Sequence, residues 1–294
     1  MENPLPCLMF VDDLEVFSTS MEEFVLQQSI INDFAEDWNL IINKSKTHIM
    51  TTRQSEALKH WCDLHGLEKE PSKHNRYLGA QVNPSGMTGN AHVSARIGKC
   101  QGMVQFMQKK GLASGRLPVS TALRIFKTVV VPSLLYGMEC MELSDYEISR
   151  LDYFMANQLA KILHGGTLLG PVEWTLWEAG CLPAKILISM AALRLQRKIS
   201  LMTKGFSIAK LLLSSIPTNE NWFKQIILNS KNIWGERLVE EINSPSPPNK
   251  TALNLQLGRK ASKWMRRQMD TEDSNLLISN AMQLKGNLAH QTNH

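Results

Sequence analysis

Hydrophobic and polar positions divide this chain near residue 90. Before it the apolar residues come in short runs, and after it they recur at helical spacing almost to the end. The first two runs, Cys7-Leu8-Met9-Phe10-Val11 and Leu14-Glu15-Val16-Phe17, flank Asp12-Asp13. Nothing longer than a tight turn fits between them, which predicts a β-hairpin with the aspartates at its tip. Ser20 and Glu23 form a capping box that opens a helix. Phe24, Ile31, Phe34 and Trp38 give it an apolar face, and Gln27, Gln28, Asp33, Glu36 and Asp37 a polar one. Residues 40–43 and 48–51 read as extended pieces around Lys44-Ser45-Lys46-Thr47. Residues 53–75 are polar and poorly periodic, 77–82 read as one short strand, and 83–86 as a turn.

Beyond residue 90 the pattern is helical. A first helix is predicted over 93–110, with a break at 111–115. A second begins at Pro118, carries Leu123, Phe126 and Val130, and should stop at Pro132. Ser144 and Glu147 open a third, with Ile148, Leu151, Met155, Leu159 and Ile162 on one face and Gly165-Gly166 at its end. Further helices fit 172–179, 184–204, 206–214 and 222–242, before the proline-rich linker 244–250. The last helix, 251–269, sets Leu253, Leu257, Ala261 and Trp264 against Arg259, Lys263, Arg266 and Arg267. The expected fold class is α+β. A small antiparallel sheet with helices occupies 1–90, and helical segments follow over 91–143, 144–243 and 251–294.

Composition narrows the function. With 294 residues, 43% of them hydrophobic, the chain can bury a sizeable core. No uninterrupted apolar run approaches the ~18 residues of a membrane span, and no basic segment with a long apolar stretch marks a secretory leader. The five cysteines are odd in number and scattered, which fits reduced intracellular thiols. Cys62 and His65 sit at metal-ligand spacing without a second pair, which argues against zinc. The net charge of +5 is uneven: residues 1–90 hold 7 of the 32 basic and 13 of the 27 acidic groups. An acidic front and a basic remainder suggest a metal-binding part followed by a polyanion-facing part. The two carboxylates at the hairpin tip repel each other, and Mg²⁺, a hard cation taking one or two carboxylates plus phosphates, would offset that. An aspartate-rich turn formed for backbone reasons is the alternative. The basic face of 251–269 either follows a phosphate backbone or is simply solvated.

Four pieces in this order resemble the C-terminal half of a reverse transcriptase of the non-LTR retrotransposon type. Phe10-Val11-Asp12-Asp13 is similar to the family's motif C, the catalytic palm hairpin, with valine where alanine is frequent. The helix ending at Trp38, followed by Leu40, Asn43, Lys46 and Thr47, resembles motif D. Tyr77-Leu78-Gly79 with Gly86 resembles motif E, the primer grip, and the stretch from Arg96 through Lys127 and Pro132 to Leu135-Tyr136-Gly137 and Glu139 resembles the thumb. Residues from Ile148 to about Met202 are similar to the helical region after it. The resemblance implies RNA-directed DNA polymerisation, two-metal nucleotidyl transfer with Mg²⁺ as cofactor, and a nucleic-acid primer–template as partner. It casts Asp12 as principal metal ligand, Asp13 as a weaker or indirect one, and Lys46 as a general acid or charge stabiliser near the leaving pyrophosphate, unless Lys46 is only a solvated loop residue. Tyr77, Leu78 and Gly79 would hold the primer end. Arg96, Lys99, Arg124 and Lys127 would touch the duplex backbone, as would Arg259, Lys263, Arg266 and Arg267. A nuclear location follows from the resemblance alone.

The same resemblance exposes a gap. The family's further aspartate, motif A, stands well before motif C, yet only eleven residues precede Asp12 and none is an aspartate. Motif B and the fingers are absent too. The chain is therefore expected to bind Mg²⁺ weakly and not to polymerise by itself, unless an upstream polypeptide segment supplies those parts. Two rivals remain. A phospho-receiver domain also opens on a strand ending in Asp-Asp, but it alternates strands and helices and places a third aspartate where 47–52 has none. A non-catalytic, helical nucleic-acid-binding module is the other.

Overall fold

The computed structural model describes residues 7–51, 56–67, 72, 75–83, 86–87, 89–112, 116–141, 143–201, 233–243 and 248–269. The chain forms two compact units that divide between Gly86 and Met87. Both contain helices, and the two small antiparallel sheets make the chain α+β.

The first unit opens on a hairpin of β1 (Cys7–Phe10) and β2 (Asp13–Val16), in register Phe10 opposite Asp13 and Cys7 opposite Val16. Helix α1 (Met21–Asp37) follows, capped by the Ser20 hydroxyl, which accepts from the Glu23 amide at 3.2 Å. The reciprocal bond of the capping box is displaced by one residue: the Glu23 carboxylate accepts from the Thr19 amide at 2.7 Å. Asn39, at φ 52°, turns the chain out of the helix. The inward face of α1 holds Phe24, Ile31 and Ala35, together with Gln27, whose amide donates to the Phe17 carbonyl at 2.8 Å. Phe34 and Trp38, expected on the apolar face, are 55% and 69% exposed, as are Leu26 and Ile30 at 62% and 58%. The helix is apolar on two sides, so periodicity alone could not choose the buried one.

Two further elements differ from expectation. Residues 56–64, within the stretch read as polar and aperiodic, form α2 (Glu56–Leu64), which buries Leu58 and Cys62 and sets Trp61 edge-on to Phe24 at 4.8 Å. The extended pieces at 40–43 and 48–51 form no ladder; a bridge from Met50 to Ser72 is their one sheet-like contact among the described residues. The predicted strand 77–82 is instead a tight hairpin, β3 (Asn75–Tyr77) and β4 (Ala80–Asn83), turning at Leu78-Gly79. Both turn residues have positive φ, 45° and 85°, the pattern of a type I′ turn. Leucine is an unusual first residue there, which hid the turn from the sequence. A two-residue β5 (Gly86–Met87) completes this sheet.

The second unit is helical. Helix α3 (Gly89–Lys109) buries Val93, Cys100 and Val104. Helix α4 (Val119–Ile125) starts after Pro118 and runs through a π-helical turn, Phe126–Val130, into α5 (Val131–Leu134). Pro132 therefore does not stop the helix. The Val131 amide reaches back to the Phe126 carbonyl, and the widened turn leaves Pro132 in the first turn of α5, where a missing N–H costs nothing. Helix α6 (Asp145–His164) has the full capping box: the Ser144 amide donates to Glu147 at 2.7 Å, and the Glu147 amide to Ser144 Oγ at 3.3 Å. These helices, with α7 (Val172–Glu178), share a core of Phe126, Val130, Leu134, Leu151, Met155, Leu159 and Leu176. Helix α8 (Ala184–Leu201) leads to a second cluster in which Ile186 and Leu193 meet Trp234, α9 (Glu236–Asn243) and α10 (Lys250–Met269). Gly235, at φ 84°, interrupts the helix expected over 222–242; its first part and the helix expected over 206–214 lie outside the described residues.

Among the described residues one run, Val119–Cys140, is long and apolar enough on average to cross a membrane, although Arg124 and Lys127 interrupt it. Counting uninterrupted apolar residues missed it. Its Ala122, Phe126, Val130, Leu134 and Met138 line the helical core.

Candidate functional site

The β1–β2 hairpin is held by four residue pairs and turns through Val11-Asp12. Val11 has φ 57° and Asp12 does not have a positive φ, the sign pattern of a type II′ turn. Glycine is the residue for that first position; a β-branched side chain there costs about 1–3 kcal/mol and persists where surroundings or function demand it. Val11 is 82% exposed, so packing does not hold it in place. Asp12 and Asp13 lie exposed at this tip.

Tyr77 ends β3. Partial burial, then the charges of Glu15 and Asp13 on β2, push its phenol above the usual tyrosine range. Burial raises the Glu15 carboxyl as well. The first unit thus brings Asp13, Glu15 and Tyr77 into one electrostatic neighbourhood, joining two segments some sixty residues apart. Leu78 and Gly79 form the adjoining turn, where Gly79 meets the need for positive φ. Lys46 lies exposed in a turn built by Asn43, whose side-chain oxygen accepts from the Lys46 amide at 3.2 Å and whose carbonyl accepts from the Thr47 hydroxyl at 2.9 Å.

Among the described residues, no three His, Cys, Asp or Glu side chains gather where they could hold a metal ion. The hairpin tip offers two carboxylates. Hard oxygen donors of that kind suit Mg²⁺, which commonly keeps waters and takes further oxygens from phosphates.

The cations expected along the duplex separate into two groups. Lys99 and Arg124 are exposed. Arg96 is only 6% exposed, with its guanidinium 4.3 Å from the centre of the Tyr136 ring. Beside it His92, fully buried, donates from Nε2 to the Tyr136 carbonyl at 2.8 Å, and desolvation holds the imidazole below its ordinary pKa. Periodicity marked Arg96 as basic but could not show that an aromatic ring covers it. Lys127 is half-buried, its ammonium against Gly180 past the C-terminus of α7, where a helix end favours a cation. On α10, Leu253, Leu257 and Ala261 are buried while Arg259 and Lys263 are exposed, as the two-faced pattern predicts. The side chains of Trp264, Arg266 and Arg267 lie outside the described residues.

Sequence reasoning passed over a groove between α3 and α6, lined by Tyr146, Arg150 and Tyr153 among others. The exposed tyrosines at a seven-residue spacing were its available signal. Compared with protein-family models, with curated proteins and with solved structures, the chain matches none.

Proposed function

We propose that this chain is the palm-and-thumb portion of a reverse transcriptase of the non-LTR retrotransposon type. It engages a nucleic-acid primer–template and does not polymerise by itself. The observation that carries this reading is the β-hairpin that exposes Asp12 and Asp13 at its tip, in the segment resembling motif C; the charges of Glu15 and Asp13 on that hairpin also act on Tyr77, in the segment resembling motif E. In this reading Asp12 and Asp13 hold Mg²⁺, which when bound neutralises phosphate charge. Lys46 adds a compact cation for the leaving phosphate, and Tyr77, Leu78 and Gly79 support the primer end. A further strand bearing an aspartate, with the fingers, comes from another polypeptide segment. Leu26, Ile30 and Phe34, exposed at helical spacing on α1, agree with a palm lacking part of its covering.

Primer extension and duplex binding test this together. The chain should bind a labelled primer–template with an affinity that falls as salt rises, and should add no nucleotide in Mg²⁺. Extension that disappears in Asp12→Ala would overturn the claim of inactivity. Absence of duplex binding at low salt would overturn the nucleic-acid reading. The second reading, a helical nucleic-acid-binding module without catalysis, draws on the exposed basic side of α10. It predicts that Asp12→Ala and Asp13→Ala leave binding unchanged with and without Mg²⁺.

A further inference from the structure

The groove between α3 and α6 has a volume of about 430 Å³ and opens to solvent. From α6 come Tyr146, Arg150, Tyr153 and Asn157, and from α3 comes Gln101. Tyr146 is 70% exposed and Tyr153 57%, large values for aromatic rings without a partner's cover. Arg150 stands between them in sequence, its guanidinium 5.8 Å from the centre of the Tyr146 ring. Two neutral groups on α3 hold it: Nη1 donates to Asn90 Oδ1 at 2.7 Å and Nη2 to Ser94 Oγ at 2.9 Å. Among the described residues no carboxylate pairs with Arg150, and none lines the groove.

We infer that this groove binds a single-stranded stretch of nucleic acid, with Tyr146 and Tyr153 as stacking platforms and Arg150 as the backbone or base cation. The inference rests on the nucleic-acid reading above but concerns single strands, and it uses none of the residues assigned to the hairpin tip or the duplex. Its chemistry is that of single-strand recognition: aromatic faces for bases, a cation for phosphate, and amides for base edges. Seven residues of helix separate the tyrosines by about 10.5 Å along the axis. That is about three steps of ~3.4 Å along a nucleic-acid strand. Arg150, fixed by Asn90 and Ser94, is arranged before the ligand arrives, which lowers the ordering cost of binding.

The test uses the full chain and a fluorescein-labelled oligothymidylate of about 12 nucleotides, within the usual site size, read by fluorescence anisotropy. Tyr146→Ala and Tyr153→Ala should each weaken binding about tenfold, whereas Tyr146→Phe and Tyr153→Phe should retain it, because stacking needs the ring and not the hydroxyl. An abasic oligonucleotide of equal length and charge should compete poorly. Arg150→Gln should weaken binding and flatten its salt dependence. Both tyrosines are exposed, so the variants should keep the parent's circular dichroism spectrum. Unchanged oligothymidylate binding by the double alanine variant would overturn the inference, as would equal competition by the abasic strand or no binding by the parent. The same proteins are titrated with primer–template duplex. Duplex binding without tyrosine-dependent single-strand binding removes the groove and leaves the polymerase reading. Tyrosine-dependent single-strand binding without duplex binding does the reverse.

Discussion

Val11 shows how one residue reports on a site. Its left-handed backbone at an exposed turn has no compensation from packing. Asparagine tolerates that conformation, so Val11→Asn should stabilise the first unit by about 0.5–1 kcal/mol in urea unfolding. No gain would mean that the turn relaxes around valine. Asp152 shows the opposite case, a charge kept inside. Its Oδ1 accepts from the Ala184 amide at 2.6 Å at the start of α8. Burial nevertheless dominates, and with Glu173 nearby raises the carboxyl to about 6. A folded-state pKa above the unfolded value means that the native state binds the extra proton. Stability from this group is therefore present below the unfolded pKa near 4 and is lost as pH rises through about 6. Asp152→Asn should remove that dependence, a difference of roughly 1–3 kcal/mol across the window. Thermal unfolding of both proteins from acid to neutral pH checks it; parallel curves would refute it.

At the scale of elements, terminators behave according to their surroundings. Gly165 closes α6 at φ 69°, and a Cβ there would meet nothing within 4 Å. Gly165→Ala should therefore cost about 1–2 kcal/mol through backbone strain alone, and Gly165→Asn less, as measured by denaturant midpoints. Pro132 is the contrary example. The π-helical turn before it supplies a wider loop of hydrogen bonding, and the helix continues. Gly180, with φ 59°, both ends α7 and leaves space for the Lys127 ammonium. A lysine on the α4 side of the core thereby becomes a helix-end cation.

At the scale of the whole molecule the two units differ in core. Among the described residues the first buries Ala35, Leu58, Cys62 and Ala80 as its apolar interior, whereas the second buries two continuous clusters. Small cores give little stability. Urea unfolding should therefore show two transitions, with tryptophans Trp38 and Trp61 reporting the earlier one and Trp234 the later. A single coincident transition would mean that the first unit draws its stability from elsewhere.

Local chemistry determined much of this protein. Two short apolar runs separated by no more than a tight turn gave the Asp-Asp hairpin, capping residues gave the start of α1 and α6, and a one-sided stripe gave the buried face of α10. Each depends on neighbours within a few residues, where steric and hydrogen-bonding rules suffice. The tertiary structure decided what local rules leave equal. It chose which apolar side of α1 is buried and made a hairpin turn of Leu78-Gly79. It also folded α2 from a segment with a short stripe, stacked Arg96 on Tyr136, and brought the charges of Glu15 and Asp13 to act on Tyr77. All of these depend on contacts between distant segments, whose energies a pattern along one chain does not contain.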